Sequence, residues 1–116
     1  MPHLILETTA DLPENGNIPD ILESLVSIFS GFETVNPVAV KAYHTLRSNW
    51  VMGEGAPAGF AHLSVWVLEG RPLELREKMA DTLYAEMKQQ FAESAAENGV
   101  SITLEVREMA TATYRK

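Results

Sequence analysis

Met1-Pro2-His3-Leu4-Ile5-Leu6-Glu7-Thr8 is the stretch from which the chain is read. A proline follows the initiator methionine, and a β-favouring, half-alternating run begins at once. Aminopeptidases remove a methionine that precedes a small residue. The processed chain would carry Pro2 as a free secondary amine anchored by a buried strand. An amine held in an apolar setting is a usable general base near neutral pH, because desolvation disfavours its charged form. The plainer reading makes Pro2 the second residue of an ordinary chain, its nitrogen locked in an amide.

Outward from that strand, residues 9–16 have loop composition, with Asp11, Pro13, Asn15 and Gly16. A helix is expected over 18–32, where Ile18, Ile21, Leu22, Leu25, Val26, Phe29 and Phe32 fall on one face. Asn17 is its N-cap candidate and Asp20 its first-turn acid. Asn36-Pro37 is turn chemistry, and 38–50 reads as a long strand. The glycine-rich connector 53–59 lacks the GxxxxGK[ST] pattern of a phosphate loop. A third strand is expected over 60–68, with Ala61, Leu63, Val65 and Val67 on its apolar face. Pro72 opens a second helix expected to run to about residue 97, with Leu75, Met79, Leu83, Met87, Phe91 and Ala95 along its buried side. Asn98-Gly99 stops it, and a last strand is expected over 101–108.

The order is strand, helix, strand, then the same again, with Leu4-Ile5-Leu6 echoed by Leu63-Ser64-Val65. The expected fold is α/β (α+β in some schemes): two βαβ units form a four-stranded mixed sheet with two helices on one face. The expected organisation is one domain, 1–116, with a pseudo-repeat of 2–52 and 59–109. Two helices cover one face only, so Tyr43, Phe60, Trp66 and Ile5 would face water unless another subunit covers them.

Composition bounds the function. A chain of 116 residues that is 46% hydrophobic can build one core. Its 16 acidic and 9 basic residues give a net charge of −7, with no basic run for nucleic acid. No cysteine is present, which removes disulfides, zinc thiolates and thiol nucleophiles. His3, His44 and His62 show no HxxxH or HxH spacing, so no metal site is expected. No apolar run approaches membrane-spanning length, and no basic n-region precedes a long apolar h-region. The expected location is the cytoplasm.

Four stretches, in this order and spacing, resemble the tautomerase superfamily and, within it, the 5-carboxymethyl-2-hydroxymuconate delta-isomerases. They are Met1-Pro2-His3-Leu4-Ile5-Leu6-Glu7, Trp50-Val51-Met52-Gly53-Glu54-Gly55, Phe60-Ala61-His62, and Gly70-Arg71-Pro72-Leu73-Glu74-Leu75-Arg76. The resemblance covers nearly the whole chain. It implies a homotrimer with an active site at each N-terminal proline and no cofactor. The implied substrate is an unsaturated 2-hydroxy (2-oxo) di- or tricarboxylic acid of aromatic catabolism, on which the proline amine moves a proton. The chain departs from the family pattern at Lys41, where members usually place an arginine in the second strand. Lysine keeps the charge and loses the bidentate fork.

The candidate site residues follow. Pro2 is the candidate base. Lys41 and Arg71 are candidates to hold substrate carboxylates and to depress the proline pKa; otherwise Lys41 is a surface charge and Arg71 a partner of Glu74 or a neighbouring chain. His62 is a catalytic acid or a hydrogen-bonded interface histidine. Trp50 and Phe60 are pocket wall or interface. Two other functions stay open. Relatives that decarboxylate or hydrate small acids would use Pro2 with an added acid such as Glu7. A trimeric binding protein without catalysis would result if Met1 were retained.

Overall fold

The first strand alternates as its sequence requires. In β1 (His3–Thr9), Leu4, Leu6 and Thr8 are buried, while His3, Ile5 and Glu7 are half-buried. The computed structural model describes Met1–Lys116. After β1 come α1 (Ile18–Phe29), β2 (Lys41–Arg47), β3 (Gly59–Leu68), α2 (Leu73–Gln90), α3 (Ala92–Ala96) and β4 (Val100–Met109). The sheet order is β2-β1-β3-β4. β1 runs parallel to β2, β3 runs parallel to β4, and the two central strands are antiparallel to each other. This is the expected mixed sheet made of two βαβ units.

Leu4 and Leu6 of β1 and Ala61, Leu63, Val65 and Val67 of β3 meet Ile21, Leu25 and Phe29 of α1 and Met79, Leu83, Met87 and Phe91 in one apolar cluster. Every one of these side chains is fully buried. The other sheet face carries His3, Ile5, Glu7, Tyr43, Phe60, His62 and Trp66, none of them buried. Gly59 opens β3 where a Cβ would collide with the Thr9 hydroxyl and the Asp11 carboxylate, so a larger residue there would have to displace both side chains.

Several boundaries differ from the periodic reading. α1 stops at Phe29 rather than residue 32, and single turns follow, from Gly31 N–H to Ile28 O and from Phe32 N–H to Phe29 O. Phe32 still packs edge-on against Phe29. The strand expected over 38–50 is shorter. Pro37 fixes a 3-10 helix, Pro37–Ala39, capped by the Asn36 side chain, and the ladder starts only at Lys41. A second 3-10 helix, Pro13–Asn17, lies in the first loop and buries Glu14.

The long second helix is two helices. The backbone leaves helical geometry at Phe91 (φ −107°, ψ 23°). A four-residue repeat slips about 40° per step against a 3.6-residue turn, so Ala95 faces water and Ser94 turns inward. There the Ser94 hydroxyl and N–H both donate to the Glu14 carboxylate, at 2.5 and 2.9 Å.

No helix is long and apolar enough to cross a membrane. The topology also fixes what surrounds the N-terminus. Because β1 is parallel to β2 and antiparallel to β3, His3 lies opposite both Lys41 and Trp66. Pro2 therefore sits where the connection into β2 and the turn out of β3 converge.

Candidate active site

A cavity of about 200 Å³ opens at that convergence, lined by Met1, Pro2, Thr34, Asn36, Ala39, Leu68, Arg71 and Lys116. Backbone hydrogen bonds hold its floor: the Met1 amine donates to Ala39 O at 2.9 Å, and Lys41 N–H donates to Pro2 O at 3.1 Å. Pro2 itself is buried. With Met1 in place the Pro2 nitrogen is a tertiary amide without useful basicity. The terminal amine is that of Met1, one residue further out.

Arg71 is placed by its own hydrogen bonds. Nε donates to Thr34 Oγ1 at 3.0 Å, Nη2 to Thr34 O at 3.1 Å and Nη1 to Leu68 O at 3.2 Å. Arg76 Nε donates to Arg71 O at 3.3 Å and steadies the turn. The guanidinium thus ties the 33–36 connection to the end of β3. It makes no ion pair with a carboxylate, and neither do Lys41 and Lys116.

The local field follows from this arrangement. The Met1 amine is held below its ordinary pKa of 8.0 first by burial, then by the charges of Lys41, Lys116 and Arg71. His3, beside it, is also pushed below its ordinary value, first by burial and then by Lys41 and the terminal amine. Its ring lies between two hydroxyls, with Tyr114 OH 2.8 Å from Nε2 and Tyr43 OH 3.3 Å from Nδ1. In a chain with 16 acidic residues against 9 basic ones, three cations act on one amine and no acidic side chain lines its cavity.

The structure brings Pro2 and Arg71 into one cavity; Lys41, at the exposed start of β2, does not line it, but its N–H donates to Pro2 O and its charge acts on the terminal amine. The other candidates lie elsewhere in the chain. His62 is four residues along β3 from the partner of His3, about 13 Å at strand rise. Its Nδ1 lies 2.7 Å from Thr103 Oγ1. Phe60 is at the far end of β3, where its N–H donates to Thr9 Oγ1. Trp50 is in the connector after β2, its Nε1 donating to Ala58 O at 2.9 Å.

Lys116, Thr34 and Asn36 line the cavity without having been singled out from the sequence. The basic pair Arg115-Lys116 was the only available signal, and nothing in a linear reading says the tail returns to the N-terminus. A larger hollow of about 360 Å³ between α2 and β4 is lined by Ala80, Asp81, Tyr84, Ile102, Thr103 and Leu104. It presents one carboxylate and no cation, so the smaller cavity is the one equipped for an acid substrate.

The family model for 5-carboxymethyl-2-hydroxymuconate isomerase matches residues 2–116. A 5-carboxymethyl-2-hydroxymuconate isomerase from Deinococcus radiodurans R1 is similar at 29% identity and TM-score 0.89, over 99% of this chain and 87% of that one. A macrophage migration inhibitory factor-like protein from Entamoeba histolytica superposes with TM-score 0.68 at 18% identity, over 99% and 94% of the two chains. A fused 4-OT symmetric trimer superposes with TM-score 0.68 at 15% identity, over 98% and 94%. No curated protein matches by sequence. With the family model spanning every residue but the first, the chain belongs to the 5-carboxymethyl-2-hydroxymuconate isomerase family and is by that membership an isomerase.

Proposed function

We propose that the processed chain, with Met1 removed, shifts a proton on an unsaturated 2-hydroxy (2-oxo) di- or tricarboxylic acid of aromatic catabolism, with the Pro2 amine as general base and no cofactor. The observation that carries this reading is the trio of Lys41, Arg71 and Lys116 around one amine in an acidic chain, unpaired with any carboxylate. The names of the family and of its Deinococcus relative support the substrate class.

The same field that depresses the Met1 amine would act on a Pro2 amine, which lies deeper: Pro2 is buried where Met1 is half-buried. A neutral amine near pH 7 takes the proton from one end of the conjugated system. The electron pair moves along that system as a dienolate, whose negative charge the cations stabilise. The resulting ammonium returns the proton at the other end, and the double bond moves. Nothing is consumed, and the amine is regenerated.

Lys41 and Arg71 hold substrate carboxylates in this scheme. Glu7, which a hydratase or decarboxylase reading would employ, has its carboxylate engaged by Arg47 at 2.5 and 3.0 Å, so no observation favours those readings. Assembly is part of the proposal: three copies of 1–116, each a repeat of 2–52 and 59–109, cover one another's open sheet faces in the cytoplasm.

The experiment compares the chain with and without Met1, each confirmed by mass, on 2-hydroxymuconate-type acids. Activity confined to the processed form is the expected result. Equal activity in the two rules out Pro2 as the base and turns attention to His62 or Glu7.

A further inference from the structure

The segment after β4 does not trail into solvent. It is pinned at two points and crosses the end of the sheet. Glu69 N–H donates to Met109 O at 3.1 Å, and Thr111 N–H donates to the Glu69 carboxylate at 2.5 Å. A turn follows, with Thr113 and Tyr114 N–H both donating to Ala110 O. Tyr114 then reaches His3 at the start of β1, two strands away from β4 in the sheet. Its ring meets that of His3 edge-on, with centroids 6.1 Å apart. The crossing delivers Lys116 to the wall of the Pro2 cavity that Arg71 also lines.

Arg71 is anchored by three hydrogen bonds to Thr34 and Leu68. Lys116 makes no hydrogen bond or ion pair through its ammonium, although 16 acidic residues are present in the chain. A charge held beside a cavity, close enough to depress the terminal amine and lacking a partner, is available to a ligand. Two cations on one cavity suit an anion with two separated carboxylates better than one with a single carboxylate.

We propose that Lys116 is a specificity-determining residue that shares with Lys41 the substrate carboxylate lying across the cavity from Arg71, and that the Tyr114–His3 hydrogen bond positions it. The proposal deepens the function above and rests on it only in taking this cavity as the substrate site. It does not require Pro2 to be the base. Tyr114 acts through Lys116 and is a positioning residue.

The test uses the processed full chain, with adipate and hexanoate as unreactive probes of a dicarboxylate and a monocarboxylate, titrated by calorimetry. Wild type is expected to bind adipate more tightly. Lys116→Ala should weaken adipate about ten- to a hundredfold, the loss of one charge-assisted hydrogen bond. It should leave hexanoate within about twofold, and Lys116→Arg should restore adipate binding. Tyr114→Phe should weaken adipate to a smaller extent, again sparing hexanoate, which a general loss of structure would not do.

The proposal is overturned if wild type does not prefer adipate, if Lys116→Ala binds adipate like wild type, or if the two probes weaken equally. A processed chain that isomerises nothing yet shows the Lys116 dependence would sink Pro2 as base and leave this proposal standing. An active chain whose KM for an unsaturated diacid ignores Lys116 would do the reverse.

Discussion

Arg71 and Lys41 carry the same charge toward the same amine but are held differently, and that difference separates two predictions. Arg71 has three hydrogen bonds into Thr34 and Leu68, so Arg71→Ala should lower both thermal stability and kcat/KM. Lys41 has no side-chain hydrogen bond or ion pair and is exposed, so Lys41→Ala should leave the melting temperature unchanged. Each loss of a charge-assisted contact to substrate should cost roughly 1.5–3 kcal/mol, or about ten- to a hundredfold in kcat/KM. Lys41→Arg should be far milder than Lys41→Ala. If all these variants turn over substrate like wild type, the cations are surface charges. His44 offers a test of a different kind. Its Nε2 lies 2.6 Å from Thr8 Oγ1 on the helix-covered face, and burial holds its pKa below 6.5. The unfolded chain then accepts a proton that the folded one resists. Stability from this group is complete above pH 6.5 and falls as pH drops from there through the folded value. His44→Gln, which keeps a hydrogen-bonding side chain for Thr8, should lose less melting temperature than wild type between about pH 7.5 and about pH 5. Parallel curves would mean that His44 does not couple to folding.

At the scale of elements, local periodicity carries far and then stops where distant contacts decide. The alternation of Leu4, Leu6, Ala61, Leu63, Val65 and Val67 reports the covered sheet face directly, because side chains in a strand repeat every two residues. The apolar stripe of α1 is equally plain. The break at Phe91 is not, since it serves a contact across 80 positions between Ser94 and Glu14 that no window of sequence contains. The part of the candidate cavity just before β1 and before α2 was legible from Pro2 and the Gly70-Arg71-Pro72 turn. The half supplied by Thr34, Asn36 and Lys116 was not, because it depends on where a connection and a tail come to rest. Ser94→Ala tests the clasp: it leaves one oxygen of a buried carboxylate without its hydroxyl donor. Denaturant unfolding should show a loss of about 1–3 kcal/mol with the fold retained. No loss would mean that water replaces the hydroxyl.

Over the whole molecule, helices cover one face of the sheet only. Ile5, Tyr43, Phe60 and Trp66 lie on the side of the sheet away from the helices, and Tyr43 is 43% exposed. The Arg107 guanidinium lies 4.6 Å from the Trp66 ring centroid and shields it in part. In the proposed trimer this face is buried. Trp66→Glu should dissociate it, because an unpaired charge would be forced into a desolvated contact. Sedimentation of wild type as a monomer at micromolar concentration would remove the trimer from the account.

Catalysis as proposed depends on the protonation of one nitrogen, which can be observed on that atom. The processed chain, labelled with 15N-proline, is titrated by NMR while kcat/KM is followed over the same pH range. The Pro2 nitrogen is expected to titrate below the ordinary α-amino range of about 7.7–8.0, in the direction burial and Lys41, Lys116 and Arg71 impose on the Met1 amine. The value of kcat/KM should rise with pH through that same ionisation, as a base active when unprotonated requires. A Pro2 nitrogen that titrates at or above the ordinary range, or a rate profile indifferent to its titration, would rule out Pro2 as the base.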